Sequence, residues 1–140
     1  MKLLLAGGGT AGHINPALAI AGYACQREPA TQILYVGAKG GLEERLVPQA
    51  GYDFKRIEIS GFQRKLSFEN LKKNLHTVKL VFSSSREAKK IISDFKPDIC
   101  IGTGGYVSGP VIRQAQKMGI PTLIHEQNAF PGVTNKMLSK

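Results

Sequence analysis

Apolar residues fall in short runs along this chain, and most runs end at a glycine or a polar cluster. Lys2 to Ala6, Ile33 to Val36, Ile99 to Ile101 and Thr122 to Ile124 are too short for buried helices and predict buried strands. Phe54 to Ile59 alternates and predicts a further strand. Helical spacing fills the intervals. Ala17, Leu18, Ile20, Ala21 and Ala24 share one face, with Asn15 expected as N-cap and Pro16 as the first helical residue. Leu42 to Ala50 predicts a short helix with Glu43, Glu44 and Arg45 as its charges. Ser60 to Phe95 is mostly helical in pattern, with a break expected at Ser83-Ser84-Ser85 and a core stripe of Ala88, Ile91, Ile92 and Phe95 after it. Gly109-Pro110 opens another helix running to about Met118, and a last one begins near Pro131-Gly132. Strands alternating with helices predict an α/β fold, an open parallel sheet flanked by helices with right-handed crossovers. No low-complexity linker divides the chain, so residues 1–140 are expected to form one domain.

In such sheets ligands bind beyond the carboxyl ends of the strands, near the topological switch point. Three polar or glycine-rich segments directly follow predicted strands: Gly7 to His13, Gly102 to Pro110, and His125 to Asn128. All three should gather on one edge of the sheet. In the first, glycines 7, 9 and 12 match G-x-G-x-x-G, a weak pattern alone. A dinucleotide fold would also place an acid after the second strand, and here that strand ends Gly37-Ala38-Lys39-Gly40. The Gly-Lys-Ser/Thr ending of a P-loop is missing as well. His13 stands at the mouth of the expected cleft, where an imidazole is a natural general base; the plainer alternative is that it packs the first helical turn. In the second loop, glycines, the Ser108 hydroxyl and a helix start make an anion cradle, or else only a tight strand-to-helix turn. Glu126 and Asn128 lie where a sugar's hydroxyls could be bound, or where they merely organise neighbouring loops.

Composition narrows the partners. Nineteen Lys and Arg against ten Asp and Glu give a net charge of +9, which favours an anionic partner. With no Trp, few aromatics near the basic cluster and no recognised module, nucleic acid is not expected. Cys25 and Cys100 lie in apolar runs without metal-ligand spacing and are expected to be small core residues. The opening apolar run is too short for a signal peptide, and no stretch approaches the roughly 20 apolar residues of a membrane span.

The segments Gly8-Gly9-Thr10-Ala11-Gly12-His13, Gly104-Gly105-Tyr106-Val107-Ser108-Gly109-Pro110 and His125-Glu126-Gln127-Asn128 together resemble the undecaprenyldiphospho-muramoylpentapeptide N-acetylglucosaminyltransferases of bacterial cell-wall synthesis, glycosyltransferase family 28. The likeness runs from Lys2 to Lys140; Ala11 departs from the glycine that many relatives carry there. The resemblance implies a Rossmann-like domain, the N-terminal half of a GT-B fold, without its C-terminal nucleotide-sugar domain. It implies an inverting, metal-free transfer of GlcNAc from UDP-GlcNAc to the MurNAc C4 hydroxyl of lipid I, an undecaprenyl-diphosphate-linked acceptor, with no further cofactor. On this reading His13 and Glu126 are the candidates for base or sugar contact. Gly8, Gly9, Gly12, Gly104, Gly105, Tyr106, Ser108 and Gly109 hold the acceptor diphosphate, and Thr10, Ala11, Gly12 and Asn128 reach the donor. The chain would work with its own C-terminal domain, and this half alone is expected to be inactive.

One further pattern bears on location. Phe68, Leu71, Leu75, Val78 and Phe82 form an apolar stripe, flanked by Lys72, Lys73 and Lys79 among other cations. Such a helix can lie on an anionic membrane surface, here the cytoplasmic face of the cell membrane, or can simply pack on a core. The competing class of function is a non-catalytic, membrane-recruiting subunit of a split GlcNAc transferase.

Overall fold

A computed structural model describes residues 1–59 and 83–139. Five strands form one sheet: β1 (Lys2–Gly7), β2 (Gln32–Ala38), β3 (Asp53–Ile57), β4 (Ile99–Gly104) and β5 (Thr122–Ile124). Between them run α1 (Ala11–Arg27), α2 (Glu43–Gln49), α3 (residues 83–95), α4 (Ser108–Lys117) and, after β5, α5 (Val133–Leu138). The strand order is β3-β2-β1-β4-β5 and every pairing is parallel. The chain therefore builds outward from β1 to β3, then returns to place β4 on the other side of β1. The switch point lies between the carboxyl ends of β1 and β4, where the two glycine loops emerge.

Alternation along the central strands explains why both faces are covered. Leu3 and Leu5 point to one face and pack with Ala17 and Ala21 of α1, Val47 of α2, and Ile33, Tyr35 and Ile101. Leu4 and Ala6 point to the other and pack with Ala88, Ile92, Val111, Ile112, Ala115 and Leu138 from α3, α4 and α5. Strands buried on both faces need continuous apolar runs, as in Leu3-Leu4-Leu5. Cys100 lies wholly inside this core, whereas Cys25 is half-buried; both are free thiols.

Several boundaries differ from the sequence expectation. β1, β2 and β4 each run on through glycines read as loop, because parallel pairing continues to Gly7 and Gly104, and to Ala38 beyond Gly37. α1 begins at Ala11, not at Asn15-Pro16: Thr10 is the extended N-cap residue and Pro16 lies inside the helix. Proline there removes the bond that would reach the Gly12 carbonyl. The added turn is held by β4 instead. The Thr103 hydroxyl donates to the His13 carbonyl (2.6 Å), and the His13 ring meets the Thr103 carbonyl (3.0 Å). Likewise α4 starts at Ser108 rather than at Gly109-Pro110. Ser83 to Ser85 are helical rather than a break, while Ala88 and Ile92 are buried as expected. The stripe Phe68, Leu71, Lys72, Lys73, Leu75, Val78, Lys79 and Phe82 lies outside the described residues.

Candidate functional site

The loops after β1 and β4 touch. The Gly8 N–H donates to the Gly104 carbonyl (3.3 Å). Gly104 and Gly105 have φ of +108° and +80°, the left-handed region that L-residues avoid. A side chain would also not fit: a Cβ on Gly104 would lie 2.4 Å from His13 Nδ1, and one on Gly105 2.3 Å from the Gly8 carbonyl oxygen. Glycine at these two positions is what lets the loops close against each other and against His13.

His13 is half-buried in the first turn of α1. Its Nδ1 is 3.0 Å from the Thr103 carbonyl and 2.7 Å from Gln127 Nε2, and one Nδ1 cannot both donate to the carbonyl and accept from an amide N–H. A carbonyl can only accept, so the Thr103 contact requires Nδ1 to carry the proton. The Gln127 amide is then best oriented with its oxygen toward Nδ1. This tautomer leaves a lone pair on Nε2, the atom a general base needs.

Around His13 opens a cavity of about 730 Å³ whose walls include Gly104, Gly105, Tyr106, Glu126, Asn128 and Asn135. The fold thus brings together His13, Gly104, Gly105, Tyr106, Glu126 and Asn128, six residues chosen from three separate sequence segments. A cavity of about 690 Å³ over the β3 edge, walled by Lys55, Arg56, Glu87 and Lys90, contains none of the glycine-loop residues. In the His13 cavity Glu126 is fully engaged. One oxygen accepts from the Asn128 N–H (3.0 Å) and side-chain amide (2.7 Å); the other accepts from the Gly132 N–H (2.9 Å) and the Asn135 amide (3.0 Å). The N–H groups of Gly132 and Asn128 hold its carboxyl down at a pKa of about 2.

Three expected ligand groups are occupied by the protein itself. Besides the Gly8 N–H, the Gly9 N–H donates to a carboxylate oxygen of Glu43 (3.2 Å). The Ser108 hydroxyl is fully buried: it accepts from the Gly104 N–H (3.1 Å) and faces the carbonyls of Gly104 (2.7 Å) and Ala6 (3.0 Å). Gly8, Gly9 and Ser108 therefore shape the cradle rather than offer it donors. Gly109 lies inside α4. Among the described residues, the Ala11 and Gly12 N–H groups at the N-terminus of α1 have no protein acceptor, and this first turn carries no acidic residue. Thr10, Ala11 and Gly12 are exposed there, next to His13.

Two residues escaped the sequence reading. Asn135, in α5, is buried; its amide nitrogen donates to the His125 carbonyl (3.1 Å) and to Glu126, and its Oδ1 has no partner among the described residues. Glu43, read only as one of three charges in the second helix, is 0% exposed. The only sequence signal for it is the cluster of glycines just before it, at 37, 40 and 41.

A doubly wound parallel sheet with paired glycine loops and a histidine at the switch point defines a Rossmann-like ligand-binding domain. Residues 3–140 match the glycosyltransferase family 28 N-terminal domain, and the chain belongs to that family. Over all 140 residues it is 59% identical to the UDP-N-acetylglucosamine--N-acetylmuramyl-(pentapeptide) pyrophosphoryl-undecaprenol N-acetylglucosamine transferase of Acetivibrio thermocellus and 55% identical to that of Limosilactobacillus fermentum. It spans all of this chain but 37% of the length of either relative. Among solved structures, Acinetobacter baumannii MurG superposes with a TM-score of 0.82 at 33% identity, over 99% of this chain and 38% of that one. The Streptomyces sp. SF2575 glycosyltransferase SsfS6 shares the fold, with a TM-score of 0.68 at 18% identity over 99% and 42% of the two chains.

Proposed function

We propose that this chain is the acceptor-binding part of an inverting glycosyltransferase that moves GlcNAc from UDP-GlcNAc to the MurNAc C4 hydroxyl of lipid I, giving lipid II. The observation that carries this reading is the His13 ring, held at Nδ1 by Thr103 and Gln127 in the wall of a polar cavity; with the proton on Nδ1, Nε2 is the atom that can accept. A sugar hydroxyl is a weak nucleophile, so His13 takes its proton as the oxygen attacks the anomeric carbon. The C1–O bond to the diphosphate breaks in the same displacement, and UDP leaves from the opposite face. Glu126 serves as the clasp joining the 126–128 loop to α5, with its carboxylate already filled by four donors. The exposed α1 terminus at Thr10, Ala11 and Gly12, with Asn128, faces the donor's phosphates and sugar. Gly104, Gly105 and Tyr106 border the acceptor.

The same reading seats the protein peripherally on the anionic, cytoplasmic face of the membrane that holds the acceptor. The net charge of +9 supports it, as do exposed Val133 and Met137 beside Arg113 and Lys136. No described helix is long and apolar enough to cross a membrane. The test is GlcNAc transfer from labelled UDP-GlcNAc to a lipid I analogue, using this chain with and without the C-terminal part of the Acetivibrio thermocellus relative. Product is expected only on complementation. His13→Ala should lower the rate about 10²–10⁴-fold, and Glu126→Gln should lower it much less. The reverse order would make Glu126 the base. No product from folded, associated halves would favour a membrane-recruiting subunit.

A further inference from the structure

Glu43 is a carboxylate with no exposure to solvent and, among the described residues, no ion-pair partner. Burying an ionised carboxylate is costly unless hydrogen bonds compensate it. Here they come from backbone at two separate places. One oxygen accepts from the Ala38 N–H (2.8 Å), at the end of β2, and the other from the Gly9 N–H (3.2 Å), in the loop after β1. The packing is tight on the loop side: a Cβ on Gly8 would fall 2.1 Å from Oε1, and one on Gly41 2.6 Å from the same oxygen. The Tyr35 hydroxyl, which donates to the Gly7 carbonyl (3.0 Å), is pushed upward in pKa by burial and by the charge of Glu43. The Glu43 carboxyl thus sits under the glycine loop at Gly9, one residue before the exposed Thr10–Gly12 segment and four before His13.

We infer that Glu43 is a positioning residue: by bridging Ala38 and Gly9 it sets the first glycine loop against Gly104 and thereby aims His13 and the start of α1 at the cavity. This rests on the proposed transfer reaction for its consequence, but not for the contact itself. The chain of contacts is continuous. Glu43 holds Gly9, the neighbouring Gly8 donates to the Gly104 carbonyl, and Thr103, next to Gly104, bonds both the ring and the carbonyl of His13. Each oxygen of Glu43 takes an N–H, so a glutamine of the same size cannot serve both. Its amide nitrogen would oppose one of the two donors.

The experiment compares the wild-type chain with Glu43→Gln by NMR. In wild type, a scalar coupling across the hydrogen bond from the Gly9 nitrogen to the Glu43 carboxylate carbon is expected. In Glu43→Gln, the Gly9 and Gly104 amides and the His13 ring nitrogens should shift together, while Val111 and Ala115 stay in place. In the complemented transfer assay kcat should fall roughly 10-fold or more, as for a misplaced reacting group, with KM for UDP-GlcNAc within about twofold of wild type. Absence of the coupling in wild type overturns the inference without reference to any variant. So does a folded Glu43→Gln chain whose Gly104 and His13 signals do not move, or whose kcat is unchanged. An inactive wild-type complement would count against the transfer reaction, and the NMR arm would still decide the role of Glu43.

Discussion

Replacing Ser108 with alanine separates two uses of one hydroxyl. As a ligand donor, Ser108 would matter to binding and little to stability. The structure instead buries it between β1, the second glycine loop and the start of α4, with the Gly104 N–H and two carbonyls around it. Ser108→Ala leaves that N–H without a partner in a place water does not reach. An unsatisfied buried donor costs about 1–3 kcal/mol. Unfolding entropy near the midpoint is about 2.1 cal/mol/K per residue, or roughly 0.3 kcal/mol/K for a chain of this length. The melting temperature should therefore fall by roughly 3–10 °C. Thermal unfolding followed by circular dichroism measures this, and hydrogen exchange at the Gly104 amide reports the local consequence, which should be faster exchange. A melting temperature within 1–2 °C of wild type, about the scatter expected from a neutral surface change, would refute the reasoning and return Ser108 to the list of ligand contacts.

Two other outcomes follow from the titrating groups. The Glu126 carboxyl lies at about 2 in the folded chain against an ordinary 4.5, so its stabilising effect is complete above about pH 4.5 and is lost as pH falls toward 2. Melting temperatures between pH 5 and pH 2 should drop less steeply for Glu126→Gln than for wild type; parallel curves would remove Glu126 as a clasp. Burial raises the Cys100 thiol to about 12, whereas Cys25 is half-buried. A thiol reagent at pH 8 should therefore modify Cys25 in the native chain and reach Cys100 only after unfolding, and equal labelling rates would contradict the packing of β4.

The order of strands and helices was legible in the chain because burial on two faces demands unbroken apolar runs such as Leu3-Leu4-Leu5, and amphipathic spacing such as Ala17 to Ala24 has one plain meaning. The site was legible in outline for a related reason. Glycine-rich segments directly after parallel strands must lie on one edge, so His13, Gly104 and Glu126 were expected as neighbours before any coordinate, and they line one cavity. What sequence could not decide was which polar groups the protein keeps for itself. Gly9 loses its N–H to Glu43 from 34 residues away, the Ser108 hydroxyl reaches Ala6 across 102, and the extra turn that starts α1 at Ala11 is held by Thr103, 90 residues from His13. Local propensity at Asn15-Pro16 pointed to a later start, and it was outweighed by those two bonds. Periodicity records which side of an element is apolar; hydrogen-bond competition and the burial of a single carboxylate depend on partners that only the closed fold brings within hydrogen-bonding distance.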